Sequence, residues 1–66
     1  MPKLTKLKIE RLKRGWTLWQ VASEIGVSET LISHWENGMF IPEKWLQKLA
    51  NLYGVPEENL KGDIND

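Results

Sequence analysis

The chain has 66 residues, no cysteine, one histidine and a formal net charge of zero. This length indicates a single domain over residues 1–66, and the missing cysteines exclude disulfides and a thiolate zinc site. No apolar run approaches the ~20 residues that span a bilayer, and no signal peptide is recognisable, so we expect a cytoplasmic protein without membrane contact.

The net charge of zero hides an uneven distribution along the chain. Residues 1–14 carry six basic side chains against Glu10 alone, whereas the remaining residues carry three basic side chains against eight acidic ones. A basic end can approach phosphates while an acidic end stays away from them, which suits a nucleic-acid partner. Ordinary solvation explains lysines on a surface helix equally well, so the charge pattern leaves both interpretations open.

The first predicted helix covers residues 3–14. Leu4, Leu7 and Leu12 fall on one side of it, with lysines around them. Arg11 lies on that same side, four residues after Leu7, and a buried charge without a partner is costly. We therefore expect Arg11 to pair with an acidic side chain.

The stretch from Leu18 to Trp35 predicts two short helices joined at Gly26. Thr17 is suited to cap the first helix and Ser28 the second, and glycine best adopts the left-handed turn between them. Apolar residues at helical spacing define the inner faces: Val21, Ala22, Ile25, Val27, Ile32 and Trp35. A generic pair of core helices explains each residue singly. Their joint spacing favours a helix-turn-helix over residues 17–37, and hence DNA binding.

The remainder of the chain continues the all-α pattern. Asn37 and Gly38 end the second of these helices, and Pro42 fits the first turn of a fourth helix. The inner face of that helix carries Trp45, Leu46, Leu49, Ala50 and Tyr53. A short fifth helix bearing Leu60 follows, and we expect the polar tail at residues 61–66 to fray.

One long pattern in this chain resembles a known family. The run RGWTLWQVASEIGVSETLISHWENG, followed by PEKWLQKLA and YGVPEENL, is similar to the Cro and phage-repressor type of helix-turn-helix domain over residues ~4–60. The resemblance implies a compact five-helix bundle, like the lambda repressor domain, that binds operator DNA, usually as a two-fold dimer. It also implies a transcriptional repressor whose recognition helix, residues 28–37, lies in the major groove.

The resemblance further assigns roles to single residues. The positions that face base edges are Ser28, Glu29, Thr30, Ser33 and His34. The positions that contact the sugar-phosphate backbone are Thr17, Leu18, Asn37 and Lys44. Arg11 and Glu36 match a position pair that the family often uses as an internal salt bridge, which agrees with the partner expected for Arg11. Glu29 is suited to accept from a cytosine amino group, and His34 to donate to guanine N7 or O6.

Two departures from the family pattern add apolar surface. Leu18 and Trp19 stand where the family commonly has a glutamine that touches DNA, and the loop at residues 39–41 is apolar where it is often basic. Exposed apolar area often marks a protein contact. An alternative function is therefore an antitoxin-like or accessory interaction module that binds a protein partner through Leu18, Trp19 and Phe40. Trp19 could instead lie along a sugar-phosphate backbone or fold back on Trp16.

The expected assembly follows from how little DNA one helix reads. A single recognition helix covers only a few base pairs, which favours a homodimer on an imperfect palindrome of double-stranded DNA, with half-sites ~34 Å apart. Leu60 and Ile64 are the expected dimer surface, because they are apolar residues with little core left to join. The sequence has no nucleophile–base pair and no phosphate loop, so we expect no enzyme activity, cofactor, metal or small-molecule ligand.

Overall fold

The computed structural model describes residues 5–62, which form four α-helices and one turn of 3-10 helix. The helices are α1 (Lys6–Lys13), α2 (Leu18–Ile25), α3 (Glu29–Glu36) and α4 (Glu43–Tyr53), and the 3-10 turn is Glu57–Leu60. Helix α3 packs against α1 and α2, α2 also contacts α4, and the 3-10 turn contacts α1 and α4. Within this described part of the chain, no helix is long and apolar enough to cross a membrane.

The all-α prediction is confirmed, but the prediction of five helices is wrong in its last element. The segment after Pro56 has only four helical residues, Glu57–Leu60, and the N–H of Asn59 donates to the Pro56 carbonyl three positions back at 3.0 Å. Bonds of this spacing define a 3-10 turn, which is rarely extended because its hydrogen bonds are poorly aligned. Leu60 then enters the core and ends the turn.

Helix α1 begins later than the predicted residue 3. Thr5 has extended backbone angles, and its hydroxyl accepts from the N–H of Lys8 at 3.3 Å, which makes it the N-cap residue. The same hydroxyl donates to the carbonyl of Glu36 at 2.7 Å. Thr5 therefore fixes the start of α1 against the last residue of α3.

The inner face of α1 also differs from the prediction. Leu7, Glu10 and Arg11 are buried, but Leu12 is 48% exposed. The reason is angular, because successive helix residues are about 100° apart and Arg11 takes the inward position one turn after Leu7. Leu4, the third predicted core residue of this helix, lies outside the described residues.

The turn between α2 and α3 has the predicted geometry. Gly26 adopts the left-handed conformation at φ 90°, and the N–H groups of Gly26 and Val27 both donate to the Ala22 carbonyl, at 2.7 and 3.1 Å. Ser28 then caps α3 by accepting from the N–H of Leu31 at 3.2 Å. These bonds satisfy the free ends of both helices and fix the angle between them.

A compact apolar core fills the space between the helices. Its buried members come from every element: Leu7, Val21, Ala22, Ile25, Ile32, Trp35, Leu46, Leu49, Ala50, Tyr53 and Leu60. Trp16, which follows α1, covers one side of this core by stacking on Tyr53, with ring centroids 5.7 Å apart. Trp45 covers another side, tilted against Trp35 with a centroid distance of 6.3 Å. Such aromatic pairs bury much area in a domain of this size.

The ion pair expected between Arg11 and Glu36 is present and buried. Two guanidinium nitrogens, Nε and Nη2, donate to the two carboxylate oxygens at 2.7 and 3.0 Å. The remaining terminal nitrogen, Nη1, donates to the carbonyl of Trp16 at 2.9 Å. Hydrogen bonding to Glu36 raises the pKa of Arg11 above its ordinary value. One side chain therefore joins α1, α3 and the turn before α2.

We expect Arg11→Ala and Glu36→Ala each to destabilise the fold by roughly 3–5 kcal/mol, because either change leaves the other charge buried without a partner. In a domain this small, that loss lowers Tm by more than about 10 °C. Thermal unfolding followed by circular dichroism measures it. The double variant Arg11→Met with Glu36→Leu removes both charges and should recover much of the loss. Two single variants with parental Tm would contradict the prediction.

The hydroxyl of Tyr53 generates a second prediction. It is buried and has no hydrogen-bond partner among residues 5–62, and burial raises the pKa of Tyr53 far above its ordinary value. Tyr53→Phe keeps the ring against Trp16 and removes an unpaired polar group, so we expect the free energy of unfolding to stay constant or rise by about 1 kcal/mol. Tyr53→Ala, the control that removes the ring, should cost ~3–5 kcal/mol. Urea unfolding of both variants checks this, and a clear loss of stability in Tyr53→Phe would show that the hydroxyl has a partner.

Candidate nucleic-acid interface

Helix α3 presents a polar face away from the core. Ile32, Trp35 and Glu36 are buried on its inner side. The five residues predicted to face base edges lie on the outer side, where four are exposed and Ser33 is half-buried: Ser28, Glu29, Thr30, Ser33 and His34. Because the inner side is fixed by the core and by Arg11, this face is held in one orientation. The structure thus brings all five candidates together on one surface.

The amino end of α2 is only partly available to a phosphate. Thr17 and Gln20 form a capping box, in which the N–H of Thr17 donates to Gln20 Oε1 at 2.8 Å and the N–H of Gln20 donates to Thr17 Oγ1 at 3.1 Å. The N–H of Thr17, a residue expected to contact the sugar-phosphate backbone, is therefore occupied inside the chain. The N–H groups of Leu18 and Trp19, in the first turn of α2, are the ones left to meet a phosphate there.

Trp19 and Phe40, the exposed apolar residues that depart from the family pattern, line two separate hollows. Trp19 is 64% exposed and borders a hollow of about 570 Å³ with Trp16 and Leu52, whereas Leu18 packs against the core. Phe40 is 81% exposed and borders a second hollow of about 520 Å³ between the α3–α4 loop and the 3-10 turn. The two hollows share no lining residue. Among residues 5–62, Trp16 stacks on Tyr53 and forms no aromatic pair with Trp19.

The remaining backbone-contact candidates flank the end of α3. Asn37 is its C-cap residue, and its side chain is exposed. Lys44 is exposed in the first turn of α4, with its ammonium 4.9 Å from the centroid of the Trp45 ring. The tilted pair of Trp45 and Trp35 joins the start of α4, which carries Lys44, to α3.

Comparison with known proteins identifies the family. Residues 7–60 match the family model described as helix-turn-helix, which is more than half of the chain. The chain belongs to this helix-turn-helix family. A protein of Halorubrum lacusprofundi named "Putative HTH-type transcriptional regulatory protein" is 38% identical over 47 residues, which cover 71% of this chain and 15% of that protein. The chain thus spans about 15% of the length of this relative. No solved structure matches this chain significantly.

The basic segment of this helix-turn-helix protein is largely committed to internal contacts. Arg11 pairs with Glu36, while Lys13 and Arg14 contact the carboxylate of Glu10 at 3.3 and 2.9 Å. Arg14 also donates to the carbonyl oxygens of Glu10 and Tyr53. The hydrogen bond from Arg14 lowers the pKa of Glu10, so that carboxylate stays charged. The basic end that the sequence suggested for phosphates is therefore partly neutralised by the protein itself.

This internal network is the feature that the sequence interpretation missed. Glu10 precedes Lys13 by three residues and Arg14 by four, which is the spacing at which oppositely charged side chains meet on a helix. That spacing could have predicted the contacts of Glu10 with Lys13 and Arg14. The carbonyl of Tyr53, 39 residues from Arg14 in the chain, has no comparable signal, because its position depends on how α4 packs.

The expected dimer surface needs correction. Leu60 is 2% exposed and belongs to the core, so its side chain is not available to a second copy of the chain. The core has room for it because the 3-10 turn packs between α1 and α4. Ile64, the other residue assigned to that surface, lies outside the described residues. Within residues 5–62, no group of His, Asp or Glu side chains could hold a metal ion.

Proposed function

We propose that this protein is a sequence-specific regulator of transcription that inserts α3 into the major groove of double-stranded DNA. The observation that carries the proposal is the outer face of α3, whose exposed polar side chains stand on a helix held from behind by the Arg11–Glu36 pair. The helix-turn-helix family match and the name of the relative from Halorubrum lacusprofundi support it. Bound to a promoter, the domain would exclude other proteins from the same groove, so we propose repression as its effect.

The side chains on this face suit direct readout of bases. The Glu29 carboxylate can accept a hydrogen bond from a cytosine amino group, and His34 can donate to N7 or O6 of guanine. Thr30 offers a hydroxyl and a methyl group, and the methyl group fits against that of thymine. Ser28 and Ser33 complete the face with short side chains that let the helix approach the base edges. Asn37 and Lys44 are positioned for the sugar-phosphate chain beside them.

Base readout by Glu29 has a sharp test. Glu29→Ala should cost about 1–3 kcal/mol on the preferred site and relax the preference at one base position in each half-site. Its affinity for unrelated duplexes should rise, because a negative charge facing the phosphates is removed. Selection of bound duplexes from a random pool, with parent and variant side by side, gives both profiles.

The matched control for that experiment is Glu24→Ala, which removes another exposed carboxylate, from α2. Its selected-site profile should equal that of the parent. If Glu29→Ala also returned the parental profile, α3 would not read bases at that position and the major-groove model would fail there.

We further propose that two copies bind together with two-fold symmetry. One short helix reads only a few base pairs, so useful specificity needs two half-sites. The pool selection should therefore return an imperfect palindrome whose half-sites are ~34 Å apart along one face of the duplex. Mass measurement of the complex should give two chains per duplex. A short unpaired motif with one chain per duplex would contradict this.

A protein-interaction module is the second candidate function, and the exposure of Trp19 and Phe40 favours it. Large apolar side chains on the surface often mark a protein contact. The two hollows they border would then hold the partner, either one at a time or together. A gel-shift titration in increasing salt separates the candidates, because binding through phosphates weakens steeply with salt. Absence of any shifted duplex at low salt would favour the interaction module.

A further inference from the structure

Two lysines of α4 converge on one aromatic ring. The ammonium of Lys44 lies 4.9 Å and that of Lys48 4.8 Å from the centroid of the Trp45 ring. Both lysine side chains are exposed, and neither has a carboxylate within 4 Å among residues 5–62. Desolvation, together with the neighbouring carboxylate of Glu43, raises the pKa of Glu57.

This arrangement holds two like charges at 4.9 and 4.8 Å from the centroid of one ring. Each ammonium is attracted to the electron-rich ring, which restrains long side chains that would otherwise move freely. The ring itself is restrained, because Trp45 is half-buried and tilts against the buried Trp35 of α3 at 6.3 Å. Two restrained cations without an acidic partner among residues 5–62 form a site for an anion, and the ring that holds them packs against α3.

We propose that Lys44, Trp45 and Lys48 form a phosphate clamp on the DNA backbone that borders the groove occupied by α3. Lys48 is the additional phosphate-binding residue of this clamp. It contacts the phosphate next to the one that Lys44 contacts. Trp45 is a positioning residue, which holds both ammonium groups without touching the phosphates. The inference rests on the proposed binding of α3 to DNA, and it adds a grip on the strand that does not depend on base sequence.

The salt dependence of binding tests the clamp. Each lysine that contacts a phosphate should contribute about 0.9 to the slope of log K against log salt. Lys44→Ala and Lys48→Ala should each lower that slope by about 0.9, and the double variant by about 1.8. Between 50 and 200 mM salt, the affinity advantage of the parent over either single variant should therefore shrink about 3.5-fold. Fluorescence anisotropy should show these changes on the selected duplex and on an unrelated duplex.

Lys13→Ala is the matched control, because it removes a lysine on α1 that already contacts Glu10. Its slope should equal that of the parent. The role of Trp45 is tested with Trp45→Phe and Trp45→Leu, at a temperature where circular dichroism shows every variant folded. Cation–π attraction is strongest for tryptophan, so affinity should fall in the order parent, Phe, Leu, by about two- to fivefold in all. A purely structural role for Trp45 would lower Tm and leave the affinity of the folded protein unchanged.

The outcomes separate the clamp from the function it rests on. A parental slope for Lys48→Ala, in a protein whose site profile still responds to Glu29→Ala, would overturn the clamp and leave the major-groove model intact. A parent chain that binds no duplex at low salt would overturn both.

Discussion

The buried pair of Arg11 and Glu36 is the interaction on which the remaining geometry depends. Arg11 donates to both carboxylate oxygens of Glu36 and to the main-chain carbonyl of Trp16. Both buried charges therefore have hydrogen-bond partners. In a domain with so few core residues, this pair aligns α1, α3 and the turn before α2 at once. Without it, α3 would keep apolar packing, the hydrogen bond from Thr5 and the turn at Gly26, and packing tolerates more than one helix angle.

The same constraint explains why one face of α3 is free for recognition. The end of the helix is held twice, since the side chain of Glu36 accepts from Arg11 and its carbonyl accepts from Thr5. The other end is set by Gly26 and the Ser28 cap. With both ends and the inner side held by the protein, the outer side chains can meet a partner without rearrangement of the backbone. Such preorganisation lowers the entropic cost of binding.

The sequence predicted those parts of the structure that depend on neighbouring residues. Caps, the glycine turn and the inner faces of α2, α3 and α4 follow from spacings of three or four residues, and all are present. The Arg11–Glu36 pair was also predictable, because the family resemblance and the cost of burying a lone charge indicated the same partner. The outward positions of α3 were assigned by the family resemblance.

The errors concern residues whose environment is set by distant parts of the chain. Leu12 is apolar yet exposed, because the paired Arg11 occupies the inward position that a leucine would otherwise take. Leu60 looked spare in the sequence and is in the core, since only the packing of α1 and α4 creates its site. The basic stretch was left open between a nucleic-acid contact and ordinary solvation, and neither interpretation included the contacts of Lys13 and Arg14 with Glu10 and the end of α4.

A main-chain hydrogen bond between the first and last described segments determines how such a domain can be joined to others. The N–H of Lys6 donates to the carbonyl of Gly62 at 3.0 Å, so the two ends of the described segment lie side by side. A domain with adjacent ends can be inserted into a surface loop of a host protein without stretching the host backbone. Both junctions would also emerge next to Thr5, and hence beside the last turn of α3. A force or a domain rotation applied at the junctions would reach α3 through the hydroxyl of Thr5 and through the Arg11–Glu36 pair on α1.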